Sequence, residues 1–441
     1  MRYDHITELI GNTPLLRLDP AVHGLPHVEL YAKLEFYNPF GSVKDRVAWG
    51  MIRDDLDDIV AGKKTLIEAS SGNTAKALRI LAAMHGLGLR AVTNRIKVAE
   101  VRELLQLLGT EIEELPGLSE CPDPTAPNDV YSVIEATMAR APGAWYHPSQ
   151  YTSEKNIEAH HHGTGREIHE DLARDGITRV DYLLGGLGTT GSTRGTATFL
   201  RKHNPELKTI AVVSERGDFI PGIRSETEMW DVGLFQPEFY DRIVAIEAGA
   251  AVDATLALAS GHGVLGGPTS GATYAAALEF LKTLAPQPDP VVAVFIVCDR
   301  LEPYLSYVRK RRPELFGKPG RAHPPSAAEL AATPTLSPEA LAALDERARP
   351  TIVDTRGAMA YRIGHVPGAL NIRDDQLEDM LAQGVPFSRS RPVVFVCPVG
   401  EVSLRFAALA RRHGFESFSL AGGVTAWRDA GRPLESAPRP S

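Results

Sequence analysis

Short β-rich runs alternate with longer amphipathic stretches along the first 312 residues or so of the chain. Most of these runs are apolar almost throughout, which is typical of parallel strands buried on both faces. They are Thr65–Glu68, Leu89–Val92, Tyr182–Leu184, Thr209–Val213 and Val291–Val297. A further run, Val28–Glu35, alternates apolar and polar residues and predicts a half-buried strand. This part of the chain is therefore predicted to be an α/β domain with a parallel sheet.

The composition changes after residue 312. Residues 313–335 are rich in proline and alanine and poor in large apolar residues, which predicts a linker. A second, smaller α/β pattern covers residues 336–441, with a short helix in SPEALAALDERA and strands at Thr351–Val353 and Val393–Val396. We therefore predict two domains, 1–312 and 336–441, and the length of 441 residues is sufficient for both.

Charge and cysteine content argue against several kinds of partner and location. The net charge is −8 and no block of basic residues offsets it, so neither nucleic acid nor a membrane surface is expected as a partner. The helix-like start MRYDHITELIGNTP lacks the apolar core of a signal peptide, and no apolar run approaches a membrane span in length. The three cysteines, Cys121, Cys298 and Cys397, are too few for a disulfide framework and indicate a reducing, cytoplasmic location.

The segment Asn38–Arg46 contains the first candidate for a reacting group. Pro39 and Gly41 interrupt the chain after a strand-like run, and a helical pattern begins close to Lys44. An amine on such a turn can face a cleft, and a partly neutral lysine can form a Schiff base with a carbonyl such as that of pyridoxal phosphate. Taken alone, Lys44 is better explained as a solvated surface lysine, and only the motifs that follow in the chain reverse this interpretation.

Two later turns have the composition of anion sites. Ala69–Thr74 follows a strand and opens a helix, so its backbone N–H groups and hydroxyls suit a carboxylate. Gly185–Ser192 also joins a strand to a helix, and its glycines and hydroxyls suit a small phosphate monoester. It lacks both the lysine of a nucleoside-triphosphate loop and the glycine spacing of a dinucleotide loop. Capping of a helix explains the first turn equally well.

A third turn, Gly266–Ala272, opens another helix. A neutral hydroxyl there, such as that of Thr269, can hydrogen-bond a pyridine nitrogen without protonating it. The alternative is again a helix cap.

Together, residues 1 to 312 resemble the cysteine synthases among the fold-type II pyridoxal-phosphate enzymes. The resemblance rests on IGNTPLLRL, NPFGSVKDR, SSGNTA, GLGTTGS and GGPTSGA, in that order. It implies a two-lobed α/β domain, a homodimer, and pyridoxal phosphate held by Lys44 with no metal. Asn73 would contact the cofactor's ring hydroxyl and Thr269 its ring nitrogen. The phosphate would lie on Gly188, Thr189, Thr190, Gly191 and Ser192, and the substrate carboxylate on Ser70, Ser71, Gly72, Thr74 and Gln150.

The resemblance implies replacement of the β-substituent of an activated L-serine, either O-acetylserine or O-phosphoserine, by sulfur. Lys44 would remove the α-proton and help to expel the β-substituent. The segment FIPGIR looks like that of the B-type isoenzymes, and Arg224 could bind an anionic leaving group such as phosphate. The alternative is that Arg224 only pairs with Glu226 or Glu228. The segment NRIKVAE departs from the usual family loop, so substrate preference is not transferred.

The smaller domain contains the second candidate nucleophile. Cys397 ends a strand and precedes a helix-like run, a position in which backbone N–H groups stabilise a thiolate or persulfide. With DTR, YRIGHVPGA and LAGGVTAWRDAGRP, this part resembles a single-domain rhodanese over residues 336 to 436. The resemblance implies a sulfane sulfur on Cys397. The arginines usual in that loop are replaced by Pro398 and Val402, which argues against thiosulfate as the donor.

Three functional hypotheses follow. In the first, Cys397 accepts sulfur and delivers it to the chemistry at Lys44, so that the chain makes cysteine or a close analogue. In the second, the large domain is a lyase that eliminates the β-substituent and the rhodanese-like domain handles the released sulfur. In the third, the small domain is a docking or sensing module with an inert Cys397. Cys121 and Cys298 are interpreted as structural.

Overall fold

The structure is a computed structural model that describes the chain apart from residues 1, 95, 116–128, 230–231, 317–324, 346–348, 375, 378–379, 381–386 and 437–441. The chain divides into two units, Met1–Arg312 and Pro313–Ser441. Cys121 lies outside the described residues. No helix in the described ranges is long and apolar enough to cross a membrane.

The first unit contains two sheets whose strands are parallel except at one edge. The larger has the order Leu15–Arg17, Val28–Leu34, Val291–Val297, Tyr182–Gly186, Lys208–Ser214, Arg242–Ile246, and only its first pair is antiparallel. The smaller has the order Glu111–Glu114, Leu89–Thr93, Thr65–Ala69, Trp145–Tyr146. The predicted α/β class is confirmed. Parallel strands direct their carboxyl ends to one edge of each sheet, where loops can meet around a ligand.

Helices lie between these strands. The α-helices of the first unit are Pro20–His23, Lys44–Ile52, Leu56–Ala61, Asn73–Met84, Ala99–Leu107, Val130–Arg140, Glu154–Ala159, Arg166–Arg174, Gly191–Leu200, Ala248–His262, Pro268–Leu281 and Leu305–Arg311. Short 3₁₀ turns occupy Ile6–Leu9, Glu35–Tyr37, Arg53–Asp55, Glu226–Glu228, Pro237–Phe239 and Glu302–Tyr304, and His160–Gly165 is a π-helical turn. The helix-like start of the chain is therefore a single 3₁₀ turn followed by an extended segment.

The strand Val28–Leu34 is buried on both faces, so the expectation of a half-buried strand is wrong. It lies between Leu15–Arg17 and Val291–Val297 in the larger sheet, and both of its edges are paired. Its alternation is misleading because Lys33, counted as a polar outward residue, is fully buried in an ion cluster.

That ion cluster holds the base of the helix that carries Lys44. The Arg46 guanidinium contacts Glu35 and Glu167, each at 2.7 Å, and Lys33 Nζ lies 2.9 Å from Glu167. Burial alone would raise the pKa of the Glu35 carboxyl, but the Arg46 guanidinium and Lys33 hold it below its usual range. Each charge is therefore matched by an opposite charge where water cannot solvate it.

We predict that Arg46→Met lowers the free energy of unfolding of the first unit by about 3–5 kcal/mol, because it leaves two carboxylates buried with fewer cations. The cluster stabilises the wild-type chain fully above the ordinary glutamate pKa, about 4.3, and the stabilisation is lost as the pH falls through the lowered folded-state values. Denaturant unfolding at neutral pH measures the effect. The control is Arg300→Met, which breaks the exposed pair with Glu302, expected to be worth about 0–1 kcal/mol. Equal losses in the two variants would contradict the prediction.

The second unit contains one parallel sheet with the order Thr335–Leu336, Ser417–Leu420, Val393–Val396, Thr351–Asp354, Leu370–Asn371. Its described helices are Ala327–Ala331, Pro338–Ala342, Ala358–Ile363, Glu401–Arg412 and Gly423–Asp429, with a 3₁₀ turn at Pro313–Phe316. Part of the expected linker 313–335 is thus structured. Ser326 caps the first helix, and Glu329 pairs with Arg412 at 2.6 Å. The linker was predicted from its low content of large apolar residues. A helix cap and an ion pair stabilise this segment instead, and neither depends on apolar residues.

Candidate active site

One cleft in the first unit is lined by twelve of the fourteen residues predicted there as cofactor or substrate contacts. They are Lys44, Ser70, Ser71, Gly72, Asn73, Thr74, Gln150, Gly188, Thr189, Ser192, Arg224 and Thr269. Five of the segments involved follow the carboxyl ends of strands, three from the larger sheet and two from the smaller. Strand topology therefore brings together segments that are far apart in the sequence.

Lys44 begins the helix Lys44–Ile52. Its backbone N–H donates to the Ser42 hydroxyl at 3.2 Å, while its side chain reaches the cleft and is partly exposed. Within the described part of the chain, its amine makes no hydrogen bond or ion pair. The apolar face of the helix packs Val47 and Met51 into the core beneath the smaller sheet. The lysine therefore has a fixed base and a free amine.

The first loop of the cleft is both a helix cap and a set of donors. The Ser70 hydroxyl accepts from the backbone N–H of Ala75 at 3.1 Å, as the capping interpretation expects. The Thr74 hydroxyl donates to Gln150 Oε1 at 2.7 Å, and Gln150 Nε2 donates to the Ala69 carbonyl at 2.7 Å. Ser70 retains its own proton and Gln150 retains one amide proton, so the loop can still donate to a carboxylate.

The glycine-rich loop divides into lining and supporting residues. Thr190 and Gly191 do not line the cleft. Thr190 adopts a left-handed conformation with φ 67°, and its buried hydroxyl donates to the Leu234 carbonyl at 3.0 Å. A Cβ at Gly191 would lie 2.0 Å from Asn156 Oδ1, so a glycine is required for packing. Side-chain contact with a phosphate is therefore restricted to Thr189 and Ser192.

Thr269 lines the cleft, but its hydroxyl is 2.5 Å from the Pro221 carbonyl oxygen, to which it donates. The hydroxyl has to rotate away from that carbonyl to donate to a ring nitrogen. Its role at that nitrogen stays a prediction.

Arg224 lies in the wall of the cleft and is 7 % exposed. Its Nη1 donates to the Glu228 backbone carbonyl at 3.0 Å, and its guanidinium lies 4.7 Å from the centre of the Tyr151 ring. A second cation that the sequence did not suggest, Lys97, also lines the cleft, with Nζ 4.3 Å from the centre of the Phe219 ring. Two cations thus border the same opening.

Three further residues of this site were missed from the sequence. Burial raises the pKa of Glu68 to about 8, and its carboxyl accepts from the backbone N–H groups of Ser149 at 2.8 Å and Gln150 at 3.3 Å. Asn156 Nδ2 donates to the Gln150 carbonyl at 2.8 Å and to Thr189 Oγ1 at 2.9 Å. Cys298 lies in the cleft wall, where burial raises its thiol pKa to about 12. Asn156 lies six positions after the predicted Gln150 and could have been noticed, whereas the other two carry no local signal.

In the second unit, Cys397 follows the strand Val393–Val396 and is 1 % exposed. Its Sγ accepts from the Gly400 N–H at 3.1 Å and from the Ser403 hydroxyl at 3.2 Å. Ser403 Oγ also lies 2.8 Å from Ser419 Oγ. The sulfur therefore lies at the N-terminus of the helix Glu401–Arg412, surrounded by donors that favour a sulfur anion.

The turn Gly422–Gly423 packs against the backbone of the loop that begins at Cys397. A Cβ at Gly423 would lie 2.2 Å from the Cys397 carbonyl oxygen, which explains the second glycine of LAGGVTAW. At the rim, Val399 and Val402 are exposed. Arg356 is held by Asp354 at 2.7 Å and by the Gly364 carbonyl. The exposed rim thus consists of two valines with the exposed acid Glu401 between them, and the arginine of the DTR motif is already engaged.

No group of three His, Cys, Asp or Glu residues in the described ranges is placed to hold a metal ion.

Comparison with known proteins assigns the family. The family model described as pyridoxal-phosphate dependent enzyme matches residues 6–299, which contain all twelve predicted residues that line the cleft. The chain belongs to this family. Cysteine synthase B of Pseudomonas aeruginosa is 31 % identical over 313 residues, covering 69 % of this chain and 97 % of that protein. The first unit is thus a cysteine synthase-like, pyridoxal-phosphate dependent enzyme. The rhodanese-like domain family matches residues 337–430.

Solved structures agree with the fold. A cysteine synthase from Entamoeba histolytica has a TM-score of 0.59 at 27 % identity, covering 70 % of this chain and 90 % of that chain. A hydrogen sulfide-producing enzyme from Fusobacterium nucleatum has a TM-score of 0.60 at 28 % identity, covering 69 % of this chain and 100 % of that chain.

The residues of the cleft fit pyridoxal phosphate. The free Lys44 amine is the group that can hold an aldehyde, and the helix Gly191–Leu200 presents its N-terminus with the Ser192 hydroxyl to a phosphate. A Cβ at Gly188 would lie 2.8 Å from the Gly222 carbonyl oxygen, so the loop backbone runs close to the opposite wall.

Proposed function

We propose that this cysteine synthase-like enzyme replaces the β-substituent of an O-activated L-serine by sulfur, giving cysteine or a close analogue. The observation that carries the proposal is the free Lys44 amine in a cleft with carboxylate donors on one loop and a phosphate cradle on another. Pyridoxal phosphate, when bound, supplies the electron sink for chemistry at the substrate α-carbon. Lys44 Nζ removes the α-proton and returns a proton to the departing β-substituent. Ser71, the amide of Gln150 and the helix N-terminus at Asn73 hold the carboxylate.

The substrate that the cleft favours is O-phosphoserine. Arg224 and Lys97 both border the opening, and a guanidinium binds a phosphate oxygen pair through two parallel hydrogen bonds. The support for this substrate is the position of these two cations in the wall of the cleft.

We predict that Arg224→Ala lowers kcat/KM for O-phosphoserine by about 10- to 100-fold, the value of a hydrogen bond to a charged group, and leaves O-acetylserine turnover near the wild-type value. Steady-state kinetics with each substrate and sulfide measure the ratio. Arg216→Ala, an exposed arginine that does not line this cleft, is the control. Equal losses for both substrates would contradict a phosphate contact, and no cysteine from either substrate would contradict β-replacement itself.

The rhodanese-like domain is proposed to supply the sulfur. The Cys397 thiolate attacks a sulfane sulfur, the bond between that sulfur and the rest of the donor breaks, and the donor departs with the electron pair. A thiol reductant then releases the outer sulfur as sulfide, is oxidised to its disulfide and regenerates Cys397. Val399 and Val402, with the acidic Glu401 between them, provide no cation for a doubly charged donor, which favours a persulfide or a less charged donor over thiosulfate. Tethering the carrier to the synthase raises its effective concentration.

A lyase is the second candidate, and the similarity to a hydrogen sulfide-producing enzyme favours it. Initial rates with cysteine alone, compared with those for activated serine plus sulfide, separate the two reactions.

In the third candidate function, the rhodanese-like domain is a docking or sensing module and Cys397 is inert. The 1 % exposure of Cys397 supports this interpretation. Alkylation of Cys397 no faster than that of Cys298, which is partly exposed in the cleft wall, would favour this docking module. A cytoplasmic homodimer is the proposed state, and light scattering on the purified chain tests the dimer.

A further inference from the structure

A buried acid lies beside the cleft and is not used by the chemistry at Lys44. Asp299 follows the strand Val291–Val297, is 6 % exposed and lines the same cleft. Its Oδ2 accepts from Asn73 Nδ2 at 2.7 Å and from the Tyr304 hydroxyl at 2.5 Å. Asn73 Nδ2 is also 3.3 Å from the Tyr304 oxygen. The three side chains form a closed triangle.

The backbone fixes this acid in place. The Gly267 N–H donates to the Asp299 carbonyl at 2.9 Å, and Asp299 bridges Ser42 while Arg300 bridges Gly266. A Cβ at Gly267 would lie 2.2 Å from Asp299 Oδ1, so the second glycine of GGPTSGA leaves space for the carboxyl group. Oδ1 itself has no hydrogen-bond partner in the described part of the chain. The Asp299 carboxyl group is thus held through Oδ2, and Oδ1 lies in the space left by Gly267.

The triangle determines which way the Asn73 amide points. A carboxylate accepts but does not donate, so the NH₂ end of Asn73 must face Asp299. Asn73 Nδ2 donates to both the Asp299 and the Tyr304 oxygens, which are only 2.5 Å apart, so one bifurcated amide proton serves both acceptors. The other amide proton and the amide oxygen remain for the cleft. Burial raises the Asp299 pKa, while the Tyr304 hydroxyl opposes that rise.

We propose that Asp299, together with Tyr304, is a positioning residue that fixes the Asn73 amide so that its second N–H is presented to the ring hydroxyl of pyridoxal phosphate. The inference rests on the ring-hydroxyl role predicted for Asn73. Asp299 itself need not touch the cofactor. Its effect passes through Asn73, and this distinguishes it from a residue that only stabilises the fold.

The test is a double-mutant cycle on the holoenzyme with Asn73→Ala, Asp299→Ala and the double variant. The readouts are the absorption maximum of the lysine-bound cofactor, the pH dependence of that band, the dissociation constant for pyridoxal phosphate and the melting temperature. We expect each single variant to shift the band in the same direction and to bind the cofactor about fivefold to tenfold more weakly, as expected for one hydrogen bond. The double variant is expected to match Asn73→Ala alone.

Asp299→Asn and Tyr304→Phe complete the design. Asp299→Asn retains an oxygen acceptor of the same size and is expected to restore most of the wild-type spectrum. If Asp299→Ala does not fold, Tyr304→Phe in the wild-type and Asn73→Ala backgrounds gives the same comparison. A wild-type spectrum in Asp299→Ala, or additive shifts in the double variant, would overturn the inference. A wild-type spectrum in Asn73→Ala would instead refute the role assigned to Asn73, and β-replacement activity is measured independently of either result.

Discussion

Replacing Lys44 with alanine is expected to remove the visible absorbance band of the lysine-bound cofactor and to lower turnover by about a thousandfold or more, because one amine serves as cofactor attachment and as acid–base group. A second lysine, Lys97, lines the cleft, but its Nζ lies 4.3 Å from the centre of the Phe219 ring and it does not share the position of Lys44 at the start of the helix Lys44–Ile52. Cys298 is another protonatable group in the wall that the sequence did not predict, and burial raises its pKa to about 12. A thiol with that pKa remains protonated and cannot act as the base at neutral pH.

The control for this prediction is Lys63→Ala, an exposed lysine in a turn outside the cleft. Both variants are incubated with pyridoxal phosphate, desalted and scanned in the visible range, and both are assayed with activated serine and sulfide. Added free amines are expected to restore a little activity to Lys44→Ala by replacing the missing base. A visible band that survives desalting in Lys44→Ala would show that another lysine holds the cofactor.

The loops that build the cleft were predictable because each has a local signal. Lys44 lies after a strand and a turn, Ser70 before a helix, and Gly188 in a glycine-rich run. Local patterns predict where such segments end, and parallel topology then brings the ends together. The same argument predicted the position of Cys397 at the end of its strand.

The residues that sequence reasoning missed act through tertiary contacts. Asp299 is 226 positions from Asn73 and Glu68 is 82 positions from Gln150, so no spacing rule connects them. Lys33 was interpreted as an outward residue because its counter-charge, Glu167, comes from a distant helix. Thr190 and Gly191 belong to a phosphate loop by composition, but the left-handed turn directs them into the protein. Whether a charged side chain is buried, and which way a loop backbone turns, depend on tertiary packing. The periodicity of apolar residues in the sequence does not predict either.

Replacing Cys397 with serine is expected to abolish cysteine formation from a sulfane donor and to leave cysteine formation from free sulfide at the wild-type rate. Serine preserves the size of the side chain but cannot form a persulfide, since the hydroxyl oxygen is not a sulfur nucleophile. The contacts with Gly400 N–H and Ser403 hydroxyl are compatible with either atom, so the fold of the second unit is retained. The loss is therefore assigned to sulfur chemistry rather than to unfolding.

The matched control is Cys298→Ser, which removes the thiol in the synthase cleft and leaves Cys397 intact. Mass spectrometry of the intact chain after incubation with the donor is expected to detect one added sulfur in the wild-type chain and in Cys298→Ser, and none in Cys397→Ser. Ser403→Ala removes one of the two donors to the sulfur and is expected to slow loading about fivefold to tenfold, as expected for one hydrogen bond to an anion. If Cys397→Ser still makes cysteine from the sulfane donor at the wild-type rate, the sulfur reaches the synthase cleft without the rhodanese-like domain, and that domain serves the chain in another way.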